Sequence, residues 1–295
     1  MQVVVDSLTN RDIALAVWLL IALAAMLFTK SIRVTLGPLL KHALVWQISV
    51  RVLLMVAYIV LVIMVERRFK LWDLSLLKDT VIWFCGTALV LFGRSVNAGD
   101  KPRFFRNVVI DNLKLTVIIE FIVSTYVFPL WVELLLVPLI FLLAALAAVA
   151  GIQKEKKYEP TRKLLNRALA VVGIYITLHA IFGAVADFKN FANVVNLKDL
   201  VLAPILSIAL LPFIYALALQ SVYEQIFLRI DHFGQNKDKG FSRFAKRQVL
   251  LACNVRLGKA GRFLKRSAAR LAFIESNTEM LAHMRAFKVN EEETA

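Results

Sequence analysis

The chain has little with which to perform chemistry. It holds two cysteines in 295 residues, Cys85 in an apolar run and Cys253 in a basic region. That pair supports neither a disulfide framework nor a thiolate metal site. Glycine is scarce at 11, and Gly-x-Gly spacing is absent. No Walker-type phosphate loop, HExxH or nucleophile elbow occurs, which removes the usual sequence grounds for nucleotide, zinc or acyl-transfer chemistry. Gly258-Lys259-Ala260-Gly261 has the spacing of a phosphate clamp but lies in a basic helical stretch, where it reads as chance. Acidic residues number 21 against 36 basic ones, and those in loops do not gather as acid–base pairs. The sequence therefore assigns no catalytic residue, no cofactor and no metal.

Apolar runs are what it has in quantity. Hydrophobic residues make up 59% of the chain, beyond the usual share for a soluble domain. Long apolar segments must satisfy their own backbone in lipid, so they read as helices. The expected fold is all-α, a polytopic membrane bundle of about seven spans near residues 13–29, 43–65, 73–93, 113–128, 130–151, 164–186 and 200–222. Asp6, Arg11 and Asp12 precede the first run instead of a positive leader, so that run reads as a retained span.

Two spans are irregular. Val81–Gly93 is short and must borrow from Leu71–Thr80, with Trp72 and Trp83 expected as interfacial belt aromatics. The fourth, 113–128, is also short and contains Glu120; Pro129 then forces a tight antiparallel hairpin with the fifth, Trp131 near its tip. Pro138 and Pro212 lie inside spans and predict bends.

Charge orients the spans. With the N-terminus outside, the inner connections hold three, five and six basic residues and the C-terminal region 14, or 28 of the 36. Seven fall outside: Arg11, Arg67, Arg68, Lys70, Lys78, Lys189 and Lys198. Arg51 lies within the second span. The bias places the C-terminus in the cytoplasm of a cell inner membrane. It also explains the net charge of +15 without nucleic acid as a partner.

Three ionisable residues within spans are candidates for function, because buried charge in lipid is costly. Arg51 and Glu120 reach similar depth and could pair, either as a polar path or as a structural ion pair with Arg51 snorkelling. His179 stands alone in the sixth span, as a relay or as a packing residue. Glu133 lies near the outer surface and calls for no role there.

Residues 223–295 form a basic helical tail. Asp231–Gly240 reads as a polar linker, followed by helix broken near Gly258 and Gly261. Phe244, Leu251, Val255, Leu264, Ala268 and Leu271 form the expected apolar stripe. The cationic surface comprises Arg243, Lys246, Arg247, Arg256, Lys259, Arg262, Lys265, Arg266 and Arg270. It suits anionic lipid of the inner leaflet or an acidic cytoplasmic protein. The resulting expectation is a non-enzymatic membrane component that docks or senses a cytoplasmic partner through this tail. A channel, transporter or permeabilising effector using Arg51 and Glu120 is the alternative, and a membrane enzyme the third reading.

Overall fold

A computed structural model describes residues 8–29, 46–95, 103–112, 114–152, 158–191, 193–233, 239–267, 270–271, 274 and 276–293. All regular structure among these residues is helical, in an all-α polytopic membrane bundle. The elements are α1 (Asn10–Phe28), α2 (Trp46–Arg68), α3 (Leu74–Ser95), α4 (Phe104–Asn112), α5 (Leu115–Thr125) and α6 (Leu130–Ile152). They continue with α7 (Glu159–Ala186), α8 (Val194–Phe233), α9 (Lys239–Cys253), α10 (Leu257–Arg262) and α11 (Asn277–Glu293).

Six helices among the described residues are long and apolar enough to cross a bilayer. The exception among the expected spans is α5. Its 11 residues cover about 16 Å, roughly half of the hydrocarbon thickness. The sequence expectation of 113–128 as a full span is thus shortened from both ends: Lys114 caps the helix start and Tyr126 its finish.

Local chemistry sets the helix starts. Thr9 caps α1 through a reciprocal box in which Thr9 accepts from the Asp12 amide and Asp12 accepts from the Thr9 amide. Asp73 caps α3 by accepting from the Ser75 amide at 3.1 Å. Within α3 a π-turn over Phe84–Ala88 interrupts the regular ladder.

The described residues divide into two compact units. Unit one holds Met1–Val81 and Asn112–Ile205; unit two holds Ile82–Asp111 and Leu206–Ala295. In unit one, α6 packs on α1 and α7, and α5 packs on α7. Lipid-facing surface is extensive there: Leu19, Leu20, Leu27 and Phe28 are mostly exposed, which water would penalise and hydrocarbon does not. In unit two, α9 and α11 pack together. Their buried positions, Ala245, Val249, Ala252 and Cys253 with Met280, Met284 and Phe287, recur at helical spacing.

The break in the tail falls at Asn254–Arg256, upstream of the expected glycines, and Gly258 and Gly261 lie inside α10. Asn254 takes the left-handed conformation at φ 50°, which asparagine tolerates better than most residues.

Candidate functional site

In unit one, the polar chemistry concentrates where several helices begin. Arg11 in the first turn of α1 grips Glu133 in the first turn of α6 with both edges of its guanidinium. Nε donates to Oε2 at 3.1 Å and Nη2 to Oε1 at 3.0 Å. Nη1 donates to the Val123 carbonyl at 2.9 Å, and Glu133 also accepts from the Phe128 amide at 3.1 Å. Glu133 is 0% exposed. Burying a carboxylate is costly unless it is paired and hydrogen-bonded, and these donors meet that cost. Its importance, missed in the sequence, was signalled by an acid and a base each opening an apolar helix on the same expected side.

Two further ion pairs join the same region. Lys78 of α3 meets Asp12 of α1 at 3.0 Å, and Lys198 of α8 meets Asp73, just before α3, at 3.2 Å. The Ser75 hydroxyl and then Lys198 hold the Asp73 carboxyl below the usual carboxylate range. Asn10 donates to the Phe128 carbonyl at 3.1 Å, and the Phe128 ring stacks on His179 of α7 with centroids 3.9 Å apart. Ion pairs thus link the starts of α1, α3, α6 and α8 in turn, and Phe128, bonded to Asn10, stacks on the C-terminal half of α7. Three of the seven cations assigned to the outer side, Arg11, Lys78 and Lys198, are paired with acids.

Below Arg11 and Glu133 lies a cleft of about 920 Å³ between α1 and α6. Leu15, Leu19, Phe141 and Ile176 are among its apolar walls, and its two charged liners are committed to each other.

The intramembrane candidates separate. Glu120 is exposed on α5 and forms no ion pair with Arg51 among the described residues. Arg51 is half-buried in α2 and has a partner of its own. His179 is held by ring stacking, and its buried Nδ1 finds no hydrogen-bond partner among the described residues. No group of three or more metal-ligating side chains occurs among the described residues. Trp72 and Trp83 are corrections to the expected belt. Both are buried, with Trp72 Nε1 donating to Thr80 Oγ1 at 3.0 Å and Trp83 Nε1 to Ser207 Oγ at 2.9 Å. An indole whose N–H is satisfied within the protein has no need of the headgroup layer. Trp131, 69% exposed, keeps its expected surface position.

Unit two contains the cationic surface. Arg243, Arg247, Arg256, Arg262, Lys265, Arg266 and Arg270 are exposed, while Lys246 and Lys259 are half-buried. Lys246 pairs with Asp231 of α8 at 2.7 Å and lies over the Phe227 ring at 5.5 Å.

Residues 242–264 of the C-terminal region are fastened to α8. Tyr215 donates to the Val255 carbonyl at 2.7 Å and accepts from the Leu257 amide at 3.1 Å. The Tyr223 hydroxyl donates to the Asn254 carbonyl. Arg229 donates to the Leu264 carbonyl at 3.3 Å. The apolar stripe also differs from expectation. Leu264 and Leu271 are buried, but Leu251 and Val255 face outward at 64% and 63% exposure. The buried face of α9 is instead the run of small residues that lets α9 approach its neighbours closely.

Comparison of the chain with protein-family models, curated proteins and solved structures finds no match.

Proposed function

We propose that the protein is a non-enzymatic component of a cell inner membrane that docks an acidic cytoplasmic protein on its basic C-terminal region. The helix starts gathered around Arg11 and Glu133 face outward in this reading, and α9–α11 face the cytosol. Pairing of Arg11, Lys78 and Lys198 with acids supports that orientation, because it further reduces the uncompensated positive charge on the outer side.

One observation carries the docking reading. The C-terminal region buries Ala245, Val249, Ala252, Leu264 and Leu271 in its own core and displays Arg243, Arg247, Arg262, Arg266 and Arg270, so it is a folded cationic surface and not a spare amphipathic helix. Such a surface attracts acidic partners through its summed field and loses that attraction with salt. Its fastening to α8 ties the docked partner to a membrane-crossing helix.

Photo-crosslinking in living cells tests this. A photoreactive residue in place of Arg266 or Arg270 should yield a discrete protein adduct. That adduct should disappear when Arg243 and Arg262 are changed to glutamate. Adducts absent from both positions would contradict the reading.

A further inference from the structure

We infer that the tip of the α9–α10 hairpin, around Leu250, Leu251 and Val255 with Arg247 and Arg256, dips into the inner leaflet and binds anionic phospholipid. This lipid contact does not need a docked protein, but it rests on the cytosolic orientation proposed above.

Depth along α8 carries the argument. That helix has 40 residues and covers about 60 Å, twice the hydrocarbon thickness, so much of it must extend beyond the bilayer. Its run from Leu206 to Tyr223 carries no charge, and Glu224 ends the run. The inner edge of the hydrocarbon therefore falls near Gln220–Glu224. Tyr223 is at that edge, and Tyr215 lies about 12 Å deeper.

The hairpin contacts α8 in a fixed order. Ser242 and Lys246 reach Asp231, Asn254 reaches Tyr223, Val255 and Leu257 reach Tyr215, and Leu264 returns to Arg229. α9 thus runs antiparallel to α8 toward the bilayer, the chain turns at Asn254–Arg256, and α10 runs outward again. Eight residues separate Lys246 from Asn254, and eight separate Tyr223 from Asp231. Equal helical rise on both sides fixes the register. Leu250 and Leu251 then lie level with Phe227 and Ile226, within roughly 10 Å of the hydrocarbon edge, the depth at which interfacial helices bury apolar side chains.

The side chains at that depth suit the layer. Leu250, Leu251 and Val255 are large, apolar and exposed, while the other face of α9 is in the protein core. Arg247 and Arg256 flank them, and Arg243 follows one turn farther out, all three exposed. Apolar side chains at this depth, with Arg247 and Arg243 farther out and Arg256 at the turn beside Val255, complement an anionic leaflet, in which acyl chains lie beneath phosphates. A protein partner would have to enter the headgroup layer to cover the same residues.

The test uses full-length protein in vesicles, with Cys85→Ser and Cys253→Ala removing the native thiols. An environment-sensitive fluorophore is attached at Leu251→Cys, Val255→Cys or, as an outer reference, Arg266→Cys. Positions 251 and 255 should emit as apolar sites and be quenched by brominated lipid several-fold more than position 266. Brominated phosphatidylglycerol should quench them more than brominated phosphatidylcholine at equal content. Changing Arg247 and Arg256 to glutamine should remove that preference, each arginine accounting for roughly fivefold in local lipid affinity. Water-like emission at both positions, equal to that at 266, would overturn the inference. Equal quenching by the two lipids would overturn its anionic part.

Discussion

The indole of Trp18 donates its N–H to the Leu134 carbonyl at 2.9 Å. Leu134 is four residues before Pro138, whose missing amide leaves that carbonyl without its helical partner. A side chain on α1 thereby repairs the backbone of α6 at the gap the proline leaves. The arrangement also pins the two helices at one height.

The first prediction follows from it. Trp18→Phe keeps most of the ring and should cost about 1–3 kcal/mol through the unpaired carbonyl. Pro138→Ala restores the amide donor, so the same Trp18→Phe change should cost distinctly less in that background. Thermal unfolding of the four proteins in one detergent measures the coupling, and strict additivity would show that the indole has no such role.

Breaking the Arg11–Glu133 pair from either side should destabilise unit one by about 3–5 kcal/mol, because the remaining charge is buried alone. Arg11→Met with Glu133→Leu should recover much of that loss. The recovery would be read from detergent-solubilised yield and unfolding temperature.

Gly183 of α7 lies directly against Tyr126. A methyl group there would meet the Tyr126 ring at 2.6 Å, and overpacking of this kind costs about 1–3 kcal/mol. Gly183→Ala should therefore lower the unfolding temperature. Gly183→Ala with Tyr126→Leu should restore it in part.

Tyr215→Phe and Tyr223→Phe remove hydroxyls that hold the turn at Asn254–Leu257. Hydrogen exchange across residues 254–257 should accelerate by roughly tenfold in the double variant, corresponding to loss of about 1–2 kcal/mol of local hydrogen bonding. Exchange within α6 should not change.

Glu120 is exposed on the short helix α5, without Arg51 as a partner. Glu120→Leu should leave membrane potential unchanged on controlled expression and should not reduce stability. A depolarisation by the wild type that this change abolished would favour the conducting alternative.

The bundle was legible in the sequence because apolar run length follows directly from the cost of placing polar groups in lipid. Helix ends at Phe28, Arg68 and Ile152 lie close to where charge or run length put them. The site was less legible because pairing between distant residues has no one-dimensional trace. Arg11 and Glu133 are 122 positions apart, and their meeting depends on how α1 and α6 pack. The outward turn of Leu251 and Val255 was likewise hidden. Both share a nearly helical spacing with residues that are buried, and the small side chains Ala245, Val249 and Ala252 claim the inner face. Trp72 and Trp83 resembled belt residues until Thr80 and Ser207 supplied internal acceptors.

Sidedness is the premise on which docking and leaflet contact both depend. In intact cells, a membrane-impermeant thiol reagent should label Trp131→Cys, at the exposed start of α6, in protein whose native cysteines are replaced. It should label Arg266→Cys only after the membrane is permeabilised. Labelling of position 266 in intact cells, with position 131 protected, would contradict the account.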